Sequence, residues 1–249
     1  MREIKIFAYT MTHDTGFAPA IHEKTLSLGC CKTFLRYKIA KEWNVHKDTT
    51  DFYIMGICGK QLADRNGIDD SYFPVYIAKV KEAVKTIDYY KDQLDPTRTD
   101  TQYSFRDGQW LYSKNNPHHT NTNGKLKDKD WRILPTPLNE KDIMYINRGK
   151  RDDNYILLSE EYMCPRSPEL CKDPCIIAIC DERKRAWRSD LSPIKSLDNP
   201  GLSHQFLDFF EHHKNDPEYN KATIDEYFIK KYVKESAVTD ESNSFKKRL

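Results

Sequence analysis

The sequence predicts an α+β fold, and three observations carry that prediction. Short apolar runs bounded by Gly, Pro or polar clusters recur from residue 4 to residue 159, as strands do. Helical spacing of apolar residues is concentrated in the last third of the chain. The 15 Tyr, 11 Phe and 4 Trp suffice to bury a core, although charged residues reach 31% and mean hydropathy is −0.80. The expectation is a folded chain with long polar loops.

Ile4-Lys5-Ile6-Phe7-Ala8-Tyr9 alternates and reads as a first strand. Thr12 to Pro19 is a turn-rich loop, and Thr25 to Cys31 reads as a second strand. Phe34 to Trp43 has no clear period, because Arg36, Lys38 and Lys41 interrupt its apolar positions. Asp51–Gly59 and Phe73–Val80 are strongly apolar, short and punctuated, and are expected to form an antiparallel buried pair. Val84 to Tyr90 is expected to begin a short helix. From Leu94 to Lys129 the chain turns polar, except that Tyr103–Phe105 and Trp110–Tyr112 flank Asp107-Gly108, a hairpin signal.

Asn154–Ser159 reads as a further buried strand. Ile176-Ile177-Ala178-Ile179, flanked by Cys175 and Cys180, also looks like one. Glu182 to Arg188 reads as an exposed basic helix or loop. Leu202 to His213 places Leu202, Phe206, Phe209 and Phe210 at helical spacing after Pro200-Gly201, and Thr223 to Glu226 resembles a capping box opening another helix. A polar tail follows from Ser236. We read residues 1–195 as one domain and 196–249 as a helical C-terminal extension of it.

Charge excludes little: 40 Lys+Arg against 38 Asp+Glu give +2, without the excess of a protein that coats nucleic acid. No apolar run approaches the ~20 residues that span a bilayer. No signal peptide is visible at Met1–Ile6, so a cytoplasmic location and reduced cysteines are expected, with no membrane partner. Cys164, Cys171, Cys175 and Cys180 are separated by six, three and four residues, unlike the paired ligands of structural zinc. No metal and no cofactor are expected. Walker, dinucleotide-binding, zincin and nucleophile-elbow motifs are absent.

The remaining groups are those that handle anions and bases. Lys32 and Arg36 follow the first loop, Arg98 and Asp100 open the second, and Asn147 to Arg151 form a third. Arg and Lys suit phosphate, Asp and Asn suit a base edge, and Tyr103, Phe105, Trp110 and Tyr112 can stack. His118-His119 lie in a polar loop, where functional groups concentrate, whereas His212-His213 suit a helix C-terminus.

His13-Asp14-Thr15-Gly16-Phe17-Ala18-Pro19, followed by Thr25-Leu26-Ser27-Leu28 and Cys31-Lys32, resembles the second or third of the nucleotide modification associated domain families. Asp51–Gly56, Val75–Val80, Asp88-Tyr89-Tyr90, Arg98–Tyr103 and Leu157–Tyr162 resemble later family segments in order. Thr33, Thr101 and Met163-Cys164-Pro165 depart from the family pattern. The resemblance implies association with DNA base modification, and Lys32 matches a family Lys while Arg36 falls near its Arg. The layout of residues 51–90 is also similar to PUA-like readers (the EVE and ASCH domains), which implies a curved, barrel-like mixed sheet.

On this basis the expected function is recognition or processing of a nucleotide or modified base in nucleic acid. Asp14, Gly16, Phe17, Lys32, Arg36, Arg98 and Tyr103 are expected to line the nucleotide site. Lys32, Arg36 and Arg98 would hold phosphate, Asp100 would read the base or act as general base, and His118 or His119 would move a proton. The first loop and the 98–119 region would then converge. The rival expectations are a nuclease or transferase acting on nucleotides, as in phage–host conflict, and a partner-binding module without chemistry.

Overall fold

A computed structural model describes residues 2–14, 18–29, 32–91, 103–106, 109–113, 131–133, 155–185 and 191–220. β1 (Glu3–Met11) and β4 (Thr50–Cys58) run parallel, in register from Glu3 opposite Thr50 to Met11 opposite Cys58. A parallel pair needs a crossover. Here it is built from the hairpin β2 (Ala20–His22) and β3 (Thr25–Leu28), followed by helix α1 (Thr33–His46). The ambiguous segment at Phe34 is therefore a helix. Its period was hidden because Arg36 is itself buried, beside Leu35, Ile39 and Ala40.

β4 leads through α2 (Lys60–Asn66) to β5 (Pro74–Lys79), which returns antiparallel to β4 as expected. β6 (Glu82–Lys85) and the single turn α3 (Thr86–Tyr89) follow. The helix expected from Val84 thus begins later. Val84 pairs with Ile156 of β10 (Tyr155–Ser159), and cross-strand pairing overrides the local helical pattern. After β10 comes β11 (Glu161–Met163), which pairs with β5. The first sheet has the order β1-β4-β5-β11 and the second β2-β3-β10-β6.

Both β5–β6 and β10–β11 pass from one sheet to the other. At that corner the Lys81 amide donates to the Leu158 carbonyl (2.9 Å), and the Lys81 ammonium pairs with Glu160. Two more strands confirm the Asp107-Gly108 hairpin signal: β7 (Tyr103–Arg106) and β8 (Gln109–Ser113) are antiparallel, with Arg106 opposite Gln109. β9 (Trp131–Ile133) extends this third sheet. The α+β class and the mixed sheet hold. The described strands form three open sheets, with no closed barrel among them.

The run expected as a strand at Cys175–Cys180 is instead helix α4 (Pro174–Arg185). Asp173 accepts the Cys175 amide at 2.9 Å, Pro174 suits the first turn, and Arg183, Lys184 and Arg185 complement the helix C-terminus. Cys175, Ile176, Ile179 and Cys180 recur at helical spacing and are buried. Arg183 is buried too, so this basic stretch is not exposed throughout. α5 (Pro200–His213) is capped by Asn199, whose side chain accepts the Gly201 amide at 2.9 Å. The helix expected from Thr223 lies outside the described residues.

α4 and α5 cover one face of the first sheet, where Tyr53 of β4 meets Phe206 and Phe210. Phe52, the residue before Tyr53 and hence on the opposite face, lies under the Lys5 ammonium, which pairs with Glu42 of α1 at 3.3 Å. The β1 edge is partly sealed by the chain before α5, where the Ile194 amide donates to the Ile6 carbonyl (2.8 Å). Among the described residues no helix is long and apolar enough to cross a membrane.

Candidate functional site

The parallel strands β1 and β4 end side by side at Met11 and Cys58, and the polar loop residues Thr12, His13 and Asp14 follow directly. The Gly59 amide donates to the Met11 carbonyl at 3.0 Å, closing the two strand ends together. A Cβ on Gly59 would fall 2.9 Å from the Met11 carbonyl oxygen, and one on Gly56 would fall 2.4 Å from the Tyr76 ring. Backbone and rings approach here as only glycine permits.

Asp14 leaves this junction inward and is 1% exposed. Its partner is Arg166, 6% exposed: Nε donates to Oδ2 at 2.7 Å and Nη2 to Oδ1 at 3.4 Å. Such a two-point clamp is the strong form of the carboxylate–guanidinium contact. Burial pulls the Arg166 pKa down, but the Asp14 carboxylate outweighs it, and the net shift is upward. Arg166 also has a left-handed backbone (φ 49°), a conformation that costs a non-glycine residue energy.

Around the clamp stand two thiols. Burial, and then the Asp14 charge, push Cys58 up to about 12. Cys164 is likewise pushed to about 12 by burial, against the opposing pull of Arg166. Burial also raises Cys171, Cys175 and Cys180. Thiols held this far above neutrality are not thiolate nucleophiles. Among the described residues no group of three or more His, Cys, Asp or Glu is placed to hold a metal.

His13 sits at the mouth of the junction, half-buried, with Nδ1 at 2.8 Å from Arg65 Nη1. Arginine only donates, so Nδ1 is the acceptor in this contact. Arg65 also donates to the Thr12 carbonyl, tying α2 to the loop.

Lys32 approaches from the other side. It precedes α1 with a left-handed backbone (φ 57°) and holds its ammonium 5.0 Å from the centre of the Tyr9 ring. Tyr9 and Tyr76, both buried, share a hydroxyl hydrogen bond of 3.1 Å. Arg36, one turn into α1, is fully buried and donates to Thr33 Oγ1 at 3.5 Å. Two of the five described non-glycine residues in left-handed backbone are therefore the cations Lys32 and Arg166. Such outliers are a motive for asking what they do.

Of the residues expected from sequence, Asp14, Lys32 and Arg36 are thus placed on the elements that end at or leave this junction. Tyr103 is the first residue of β7. Gly16, Phe17, Arg98, Asp100, His118 and His119 lie outside the described residues. So does the expected approach of Asp100 to Asp14. Arg166, His13 and Arg65 were missing from the expected set. Arg166 follows Pro165 with no motif around it and meets Asp14 across 152 residues.

The model of the nucleotide modification associated domain 2 family matches residues 3–163. The chain belongs to this family. Membership links it to nucleotide modification. Searches of curated proteins and of solved structures return no match. The family match takes in β1, the Asp14 loop, Lys32, α1 and every strand of the first two sheets. It ends at Met163, so Arg166, which clamps the family-region Asp14, comes from beyond it, as do α4 and α5.

Proposed function

We propose that the chain recognises a nucleotide or modified base beyond the ends of β1 and β4. The observation that carries this reading is the position of Lys32. A cation in strained backbone stands over a buried tyrosine, at the start of a 14-residue helix whose first-turn amides favour an anion. A phosphate is the anion such a cradle suits, and the space beyond the carboxyl ends of parallel strands is where open sheets commonly bind ligands. Lys32 would contact phosphate. Asp14, oriented by Arg166, would fix the loop carrying Gly16 and Phe17 against the base. Arg98 would add a second phosphate contact and Tyr103 a stacking ring, while Asp100 and His118 or His119 remain our candidates for base reading and proton movement.

Recognition is favoured over group transfer through cysteine, because the five described thiols all have raised pKa values. The test is calorimetric titration with nucleoside monophosphates bearing unmodified and modified bases. At least one should bind, and Lys32→Ala should weaken it about ten- to hundredfold, the worth of a charge-assisted hydrogen bond. Absence of binding across the panel, or binding indifferent to Lys32→Ala, overturns the reading.

A further inference from the structure

Arg166 reaches Asp14 from a short connection that has support of its own. β11 ends at Met163, and Cys164 and Pro165 lead directly into Arg166. Pro165 fixes its own φ and restricts the residue before it. A displacement of Cys164 is therefore passed to Arg166 with little slack. What holds Cys164 bears on where the guanidinium sits.

Segment 214–220, which leaves the end of α5, holds β11 along its outer side. The Lys214 ammonium pairs with Glu161 and, at 2.7 Å, with Glu211. The Asn215 amide donates to the Tyr162 carbonyl at 3.1 Å, and the Cys164 amide donates to the Tyr219 carbonyl. Cys164 and Asn220 form a parallel bridge. Between these points the segment closes a tight turn (Pro217–Tyr219), in which the Asp216 side chain accepts the Glu218 amide at 2.9 Å. A stack anchors the turn: the Tyr219 and His213 rings have centres 3.9 Å apart, 23° from parallel, with Phe209 edge-on to Tyr219 at 6.1 Å.

Blunting a strand edge needs less than this, since a charge or a bulge suffices. The cover also carries costs. Asn215 adopts left-handed backbone (φ 64°). His213 Nδ1 and Asn220 Oδ1 are buried with no hydrogen-bond partner among the described residues. Buried polar atoms left unpaired are uncommon and call for an explanation.

We propose that segment 214–220 is a strap that positions the Arg166 guanidinium, and with it the Asp14 loop, through Cys164. Tyr219 and His213 are the positioning residues, because their stack fixes the carbonyl that Cys164 uses. The proposal rests on the nucleotide reading above and deepens it: the affinity of the site is set in part from the far side of β11. The strap, like Arg166, lies beyond the matched family region, so a loop of that region is tuned by chain outside it.

The experiment uses the full chain labelled with heavy nitrogen, with the Arg166 Nε–H resonance assigned through Arg166→Lys. Its exchange with solvent reports on the clamp without any nucleotide. Tyr219→Phe, which keeps the ring, should match wild type. Tyr219→Ser should speed the exchange at least about tenfold, as the clamp opens more often. The same variant should weaken mononucleotide binding about two- to thirtyfold. Leu202→Ala, at the opposite end of α5, controls for lost stability and should alter neither readout. If Tyr219→Ser does not fold, Asp216→Ala, which frees only the Glu218 amide, should move both readouts in the same direction. An Arg166 signal unchanged in the folded variant overturns the inference. So do equal losses in Leu202→Ala, or a changed Arg166 signal with nucleotide affinity intact. If no mononucleotide binds even wild type, the nucleotide reading falls, and the Arg166 signal alone decides the strap.

Discussion

On the α5 side of the first sheet, Tyr53 stands edge-on to Phe206 and Phe210 with ring centres 5.1 Å away in each case. At the ends of β1 and β4, the buried polar groups include the Asp14–Arg166 pair and the bonded Tyr9 and Tyr76 hydroxyls, and Lys32 and Arg166 adopt left-handed backbone. The first region follows the ordinary rule for a core, apolar area removed from water and rings at favourable angles. The second departs from it. A buried ion pair returns little net stability compared with an apolar packing of equal volume. Left-handed backbone at Lys32 and Arg166 costs more still. A chain that needed only a folded sheet would gain by building both sides like the first, so the second is where function is to be sought.

The contrast is sharpest in two truncations of similar expected cost. Phe206→Ala should lower stability by about 3–5 kcal/mol by opening a cavity under Tyr53. Nucleotide affinity per folded molecule should be unchanged. Arg166→Ala should also cost about 3–5 kcal/mol, because it strands the buried Asp14 charge, and here affinity should fall as well. Urea denaturation paired with titration measures both. Intact affinity in Arg166→Ala would make the clamp purely structural.

Gly56→Ala should cost less, about 1–3 kcal/mol, by overpacking. Its new methyl would meet the Met11 sulfur and the Tyr76 ring. A melting curve like wild type would mean that Tyr76 can shift and that the junction is looser than its geometry.

Lys32→Gly separates strain from contact by sign. Relief of the left-handed backbone should raise stability by up to about 1 kcal/mol, while nucleotide affinity drops. A change of the same sign in both would place Lys32 with the ordinary core.

The smallest effect concerns His213, whose pKa is lowered, first by burial and second by His212. It stacks on Tyr219 at 3.9 Å and meets Phe209 edge-on. A histidine that resists its proton when folded contributes stability above the unfolded pKa, near about 6.5. That contribution is lost as pH falls toward the folded value. Melting temperature should therefore decline slightly below that pH, and His213→Phe should flatten the decline.

How much of this was legible in the sequence depends on the range of the interaction involved. β1, β4, β5 and β10 could be read because a buried strand is a short apolar run with punctuated ends, and the β7–β8 hairpin because Asp-Gly favours the required turn. α1 and α4 could not be read. Arg36 and Arg183 are cations on inward faces, and the Cys/Ile run of α4 is apolar at both periods. Of the candidate site, Lys32 and Arg36 were singled out as cations that follow the first loop, and Asp14 through a family-like motif.

The sequence by itself determined the α+β class, the strands that make the core and the polar loop after β1, since each follows from local pattern and turn chemistry. The tertiary structure alone decided that β1 and β4 run parallel and that the chain changes sheet at Lys81 and Glu160. It also decided that Asp14 is clamped by Arg166. These are pairings between segments far apart in the chain, and nothing near Asp14 in sequence encodes a partner 152 residues away.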